Sequence, residues 1–408
     1  MATCRFCHRE LRDVVIDLGA SPLSNAYIPL ERRMEMEPQY PLKVWFCPRC
    51  GLVQLEAFTS PEAIFSDYDY FSSYSDTWLT HAARYVEHMI RDYGIHKGSQ
   101  VVEIASNDGY LLQYFLQQGV PALGVEPAAN VAKVARARGV PTENAFFGAD
   151  TARQLQSRGY AADLMLGNNV LAHVPDINDF VEGFHILLKP EGFMTVEFPH
   201  LLNLIRQTQF DTIYHEHFSY LSLGAVQTIF AAHGLEVFHV EELPTHGGSL
   251  RVFACQADHP RKISDAVQDI LDRERTAGLP DGSGYRAFAG AALAIKLDLL
   301  EFLIGACRAG KKVCGYGAAA KGNTLLNYAG VRHDLIEAVA DRSPHKQGKL
   351  LPGSRIPVVS PEAMLALHPD YVLILPWNLK EEIMGQLDGI HAWGGHFVTA
   401  VPQLKVWP

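Results

Sequence analysis

The sequence predicts an α/β protein with two doubly wound sheets behind a small metal-stapled module. Three observations carry that prediction. The chain has 408 residues, more than one hydrophobic core usually supports. Strand-like apolar runs alternate with helical periods in two separate regions, as parallel α/β sheets require. Two CxxC pairs stand within the first fifty residues, amid frequent prolines. With 48% hydrophobic and 20% charged residues, the composition is that of an ordinary globular protein. A formal charge of −10 argues against gripping nucleic-acid backbones, which takes a Lys/Arg surplus.

Residues 1–78 form the first predicted domain. Pro22, Pro29, Pro38, Pro41 and Pro61 interrupt short runs such as Leu42 to Phe46. Cys4-x-x-Cys7 and Cys47-x-x-Cys50 each present two thiolates from a tight turn, which suits one tetrahedral zinc ion. His8 is a possible substitute ligand. Four thiolates close the coordination sphere, so the ion's expected role is structural. The N-terminal MATCRFCHRE has no apolar run of signal-peptide length, and the cysteine usage fits a reducing compartment, so a cytoplasmic location is expected.

Residues 79–255 form the second domain, with strands at VVEIA (101–105), ALGVE (122–126), ADLMLGN (162–168) and GFMTVEF (192–198). Residues 256–408 form the third, Rossmann-like domain, with strands at KVCGYG (312–317), IEAVAD (336–341), DYVLIL (370–375) and HFVTAV (396–401). Between them LPDGSG (279–284) reads as a loop and Ala287 to Cys307 as an amphipathic helix, because Lys296, Asp298 and Glu301 would be costly inside a bilayer.

After the first of these strands, Glu103-Ile104-Ala105-Ser106-Asn107-Asp108-Gly109 makes a strand–loop–helix nucleotide cradle with a single glycine. A dinucleotide's pyrophosphate calls for G-x-G-x-x-G, so a donor without phosphate fits better. Glu126 ends the next strand at the offset from which a carboxylate takes ribose hydroxyls, and Asn168 and Asn169 end a later one in GNNVLAHVPD. In the order E-x-A-S-N-D-G, G-V-E-P, N-N-V-L-A-H-V-P-D and L-K-P-E-G-F, this span resembles class I S-adenosylmethionine-dependent methyltransferases. Over nearly its full length the chain is similar to the sugar C-methyltransferases of deoxysugar biosynthesis. The resemblance implies a zinc module, a methyltransferase core that binds S-adenosylmethionine, and a C-terminal domain that holds a nucleotide sugar.

Tyr214-His215-Glu216-His217-Phe218-Ser219-Tyr220 packs histidines, a carboxylate and phenols ahead of a helix with Ser222 as N-cap and Gly234 as stop. Methylating a carbon beside a ketone needs a base, and histidine titrates near neutrality. The spacing is not the H-E-x-x-H of zinc proteases. A capped turn with solvated histidines is the plainer alternative. The family resemblance implies His217 as base with Tyr214 and Glu216 beside it. It also implies a tyrosine from the run 68–74, with Tyr68 foremost and Tyr70 or Tyr74 as substitutes, although these rings could equally pack a core. His200, which closes the strand VEFPH, is a further substrate candidate, as are His246 and Arg251 in THGGSLR. There Arg251 could meet phosphate, and a hairpin turn is the alternative.

Gly315-Tyr316-Gly317-Ala318-Ala319-Ala320-Lys321-Gly322-Asn323 follows a strand and opens a helix, the context of a G-x-G-x-x-A phosphate loop. Asp341 ends the next strand, suited to a ribose hydroxyl, and Lys346 adds positive charge. Such a loop serves NAD or a nucleoside diphosphate equally. Family resemblance favours the nucleotide of a sugar substrate, probed here by Gly315, Gly317, Lys321, Asn323, Asp341 and Lys346. The leading expectation is methyl transfer to C3 of a 4-keto-deoxyhexose on a nucleoside diphosphate such as dTDP. An NAD-dependent sugar oxidoreductase or epimerase and a non-enzymatic scaffold are the competitors.

Overall fold

The computed structural model describes residues 2–60, 71–74 and 76–408. By compactness the chain divides into two units: Met1–Arg12, Phe46–His200 and Phe218–Asp281 make one, and Asp13–Trp45, Leu201–His217 and Gly282–Pro408 make the other.

The first unit is built on β1 (Val101–Ile104), β2 (Ala122–Val125), β3 (Thr142–Glu143), β4 (Ala162–Asn168), β5 (Leu188–Pro199), β6 (Leu235–Leu243) and β7 (Ser249–Gln256). Their order across the sheet is β3-β2-β1-β4-β5-β7-β6. The first five run parallel, and β7 is antiparallel to both β5 and β6. All four residues of β1 and of β2 are buried, as in a strand covered on both faces, with Glu103 their one charged member. Helix α1 (Asp76–Tyr93) contributes Tyr85, Val86 and Met89 to a core shared with Phe115, Phe193 and Phe253. The expected N-cap is in place: Ser222 Oγ accepts from the Ala225 N–H at the start of α2 (Leu223–Ala232). Gly234, at φ +68°, follows the helix end. The strand order reverses direction between β1 and β4, and in open α/β sheets ligands bind in the crevice at that point.

The second unit carries β8 (Val313–Tyr316), β9 (Val339–Ala340), β10 (Val358–Val359), β11 (Tyr371–Ile374), β12 (His396–Thr399) and β13 (Lys405–Trp407). Their order is β10-β9-β8-β11-β12-β13, parallel except for β13. Helix α4 (Phe288–Arg308), which follows α3 (Asp265–Thr276) in the chain, buries Phe288, Ala292, Ile295, Leu299, Leu303 and Ala306. That spacing is a single helical stripe, as the amphipathic reading expects. The strand Asp13–Ser21 packs on α4 and on α5 (Ala320–Ala329), and the turn Phe210–Thr212 packs on α5 as well. Among the described residues, no helix is long and apolar enough to cross a membrane.

Candidate active site

Both cysteine pairs lie in the first unit and form geometric copies of one turn. The N–H groups of Cys4 and Cys47 bond the carbonyls of Arg9 and Leu52, and the N–H groups of His8 and Gly51 bond back to the carbonyls of Cys4 and Cys47. His8 and Gly51 both have left-handed φ, +59° and +76°. The four sulfurs lie within 4.8 Å of one another. Cys4 and Cys50 approach to 3.6 Å, and Cys7 and Cys47 to 3.5 Å. A tetrahedron with Zn–S bonds of about 2.3 Å has edges of about 3.8 Å, so the set fits zinc. His8 is exposed and lies outside this cluster.

At the carboxyl end of β1 the chain turns through left-handed residues at Ala105 (φ +56°), Asn107 (+49°) and Gly109 (+77°), and Asn169 (+54°) follows β4. Non-glycine residues in this region cost about 1–3 kcal/mol each and concentrate at ligand sites. The Glu126 carboxylate accepts from the N–H groups of Asn107 and Ala128, each at 2.9 Å, which ties the β1 loop to the end of β2. Burial raises its carboxyl, with those two N–H groups opposing. Glu103 is 1% exposed, and burial pushes its carboxyl well above the usual range, with a hydrogen bond to Tyr110 opposing. Asp108 pairs with Arg138 at 2.7 Å and accepts from Ser73.

The buried oxygens of Ser106 (Oγ), Asp108 (Oδ1), Asn168 (Oδ1) and Asn169 (Oδ1) have no protein hydrogen-bond partner. Buried polar atoms are normally paired. Acceptors gathered at the ends of β1 and β4 fit the ammonium and hydroxyl donors of S-adenosylmethionine, so the expected donor residues suit that cofactor.

Sequence reasoning missed a second cluster in this unit. Glu197 of β5 is fully buried and faces Asn168 and Arg251 in the sheet register. It meets His81 of α1 at 3.0 Å, Arg251 at 3.1 Å and the Thr245 hydroxyl at 2.9 Å. Burial would raise its carboxyl, but His81 and Arg251 hold it below the usual value. Arg251, for which the sequence suggests a phosphate partner, pairs with Glu197 and with Glu241 at 2.9 Å and lies over the Tyr85 ring. His246 sits in the β6–β7 turn, edge-on to Trp78 at 5.5 Å. His200 is 1% exposed and bonds Glu274 of α3 at 2.7 Å. Glu274 also accepts the Leu223 and Gly224 N–H groups that open α2. The one sequence signal for Glu197 was a charged residue inside the apolar run MTVEF.

In the second unit, the His217 Nδ1 lies 2.9 Å from the Thr212 carbonyl oxygen. A carbonyl can only accept, so Nδ1 carries the hydrogen and Nε2 is the basic nitrogen of the neutral ring. The Tyr214 and His217 ring centroids lie 4.0 Å apart, the planes tilted by 33°. Glu216 is 4% exposed, and its Oε1 accepts from Asn25 at 2.6 Å. His215 is buried and bonds the Pro41 carbonyl. Asp211 accepts from the Trp377 indole at 2.8 Å. Burial pushes its carboxyl up to about 6, with Lys321 and Trp377 opposing.

Around the loop after β8, Lys321 donates to Asn378 at 2.7 Å, and burial lowers its ammonium. Asn323 donates to the Ser24 carbonyl. Lys346 donates to the Ala318 carbonyl at 2.8 Å and lies 3.7 Å from Asp341. The loop glycines are needed for packing: a Cβ on Gly315 would meet Val339 at 2.8 Å, and one on Gly317, at φ +87°, would meet Pro376 at 2.4 Å. Tyr68 and Tyr70 fall outside the described residues, and Tyr74 is 72% exposed.

A sheet in the order 3-2-1-4-5-7-6, with an acidic side chain ending β2 and unpaired acceptors beside β1 and β4, defines a class I methyltransferase. Three family models match: "Putative zinc binding domain" over residues 4–65, "Methyltransferase domain" over 78–240 and "C-methyltransferase C-terminal domain" over 244–402. The chain is 39% identical over 404 residues to the C-methyltransferase NovU of Streptomyces niveus, covering 99% of this chain and 96% of that protein. It is 30% identical over 101 residues to a ubiquinone biosynthesis O-methyltransferase of Chelativorans, covering 24% of this chain and 40% of that one. The magnesium protoporphyrin IX methyltransferase of Synechocystis, solved with bound S-adenosylmethionine, aligns with TM-score 0.34 and 13% identity over 44% of this chain and 79% of that one. The chain belongs to the C-methyltransferase family. It is an S-adenosylmethionine-dependent C-methyltransferase with a zinc-binding cysteine module.

Proposed function

We propose that the protein methylates C3 of a 4-keto-deoxyhexose linked to a nucleoside diphosphate, dTDP foremost, in branched deoxysugar biosynthesis. S-adenosylmethionine supplies the electrophilic methyl group. The observation that carries the reading is the fixed tautomer of His217. Its Nδ1–H is held by Thr212, so Nε2 is the nitrogen that takes the proton from the carbon beside the ketone. Delocalisation onto the ketone oxygen makes that carbon acidic, and Tyr214, tilted against the imidazole, is the adjacent phenol for the developing enolate.

Glu103, Ser106, Asn107, Asp108, Gly109, Glu126, Asn168 and Asn169 are assigned to the donor, supported by the acceptors at the ends of β1 and β4. Lys321, Asp341 and Lys346, at the ends of β8 and β9, are assigned to the nucleotide sugar. The three family-model ranges support a division of labour among a zinc module (1–78), a donor-binding core (79–255) and a nucleotide-sugar part (256–408). Incubating the full chain with S-adenosylmethionine and a panel of 4-keto nucleotide sugars tests the proposal by mass spectrometry. A product heavier by one methylene at C3 is expected. Methylation of none of the panel, or methyl on oxygen, would overturn it.

A further inference from the structure

No motif marks the stretch Ser24-Asn25-Ala26-Tyr27, yet three of its four residues are tied to the machinery of the second unit. The Ser24 carbonyl accepts from Asn323 of α5 at 2.7 Å. Asn25 Nδ2 donates to Glu216 Oε1 at 2.6 Å, joining residues 191 apart in sequence. The Tyr27 hydroxyl donates to the Ala318 carbonyl, which also takes the Lys346 ammonium. Lys346 in turn lies 5.4 Å from the Tyr27 ring centroid.

A carboxyl as buried as Glu216 depends on its few neighbours for its charge and its direction. Those neighbours are the Asn25 amide, from the segment before the strand Tyr40–Phe46, and the Lys346 charge, from the loop after β9. Lys346 itself faces Asp341.

We propose that Asn25 is a positioning residue of the methyl-transfer site, aiming and holding the Glu216 carboxylate through its amide N–H, with Lys346 supplying the facing charge. This rests on the reading of Tyr214–His217 as the reacting segment. Burial pushes the Glu216 carboxyl up to about 7, and Asn25 and Lys346 both pull it down, so losing either lets it rise further.

The test is an infrared pH titration of the full-length protein, with Glu216→Gln subtracted to isolate the Glu216 carboxyl band. Its midpoint should lie near neutrality and move up by half a unit or more in Asn25→Ala and in Lys346→Met, while Lys346→Arg keeps it. A half-unit rise lowers the ionised fraction at pH 6.5 about threefold, and kcat/KM with a dTDP-linked 4-keto-deoxyhexose should fall with it at that pH. Donor affinity should stay unchanged. If Asn25→Ala is unstable, Asn25→Ser, which lacks the amide N–H, is read in the same way. An unmoved midpoint in the folded variants overturns the inference. A moved midpoint with Glu216→Gln fully active would instead remove Glu216 from the proposed chemistry and leave its positioning by Asn25 intact.

Discussion

Both sheets run 3-2-1-4-5, but the loops after their first strands meet different demands. After β1 there is one glycine, and Ala105 and Asn107 take left-handed conformations that L-residues avoid. Buried oxygens there have no protein partner. After β8 the glycines relieve steric contact with Val339 and Pro376. Left-handed backbone and unpaired buried acceptors thus coincide in the first loop, whereas the glycines of the second are explained by packing. The phosphate reading of the second loop therefore leans on Lys321 and Lys346 more than on its glycines.

The largest test of that contrast separates donor binding from acceptor activation. His217→Asn should lower turnover by about 10²–10⁴ while calorimetry still shows S-adenosylmethionine binding at wild-type affinity. Near-normal turnover would move the base to another group. Next, metal removal or Cys47→Ser should unfold the amino-terminal module, since a structural zinc site contributes folding energy directly. One zinc per chain by elemental analysis is the companion measurement.

Glu216→Gln sharpens the picture of the second unit through stability. A carboxyl raised from about 4.5 to about 7 favours folding below its ordinary value, and that contribution is lost as pH rises through 7. The variant lacks this loss, so from pH 4.5 to 8 it should gain on wild type by on the order of 3 kcal/mol in denaturant unfolding. Parallel curves would show that Glu216 titrates normally.

Gly109→Ala and Gly317→Ala compare the loops directly. Each places a Cβ at positive φ, 2.7 Å from Val140 or 2.4 Å from Pro376, and should cost roughly 1–3 kcal/mol. Only the Gly109 change should also weaken donor binding. The smallest effect is Ser222→Ala, which removes a hydroxyl cap from α2 and should cost about 1 kcal/mol in thermal unfolding.

Most of the strands were legible because apolar runs mark them: residues 162–168 match to the residue, and the two ends of β1 differ by at most one. Two-residue β3 has no run to detect. In the β6–β7 hairpin, β6 mixes polar and apolar residues while β7 carries the short buried run VFAC, and the pair was seen only as a possible turn at 245–251. Within the site, the Tyr214–His217 cluster was visible as composition. Its organisation was not: the partner that fixes His217 is a backbone carbonyl, and the partner of Glu216 lies 191 residues upstream. His81 and Glu197 were invisible for the same reason, being joined only by the packing of α1 on β5.

The make-up of the second unit bears on how the chain is synthesised. Residues 13–45 and 201–217 belong with residues 282–408 and not with their neighbours in sequence. At about 5–20 residues per second, the apolar strand residues Val15, Ile16 and Leu18 leave the ribosome well before α4 and α5 exist to pack on their strand. A nascent chain stalled before residue 282 would hold the Asp13–Ser21 strand without α4 and α5, the helices that pack on it.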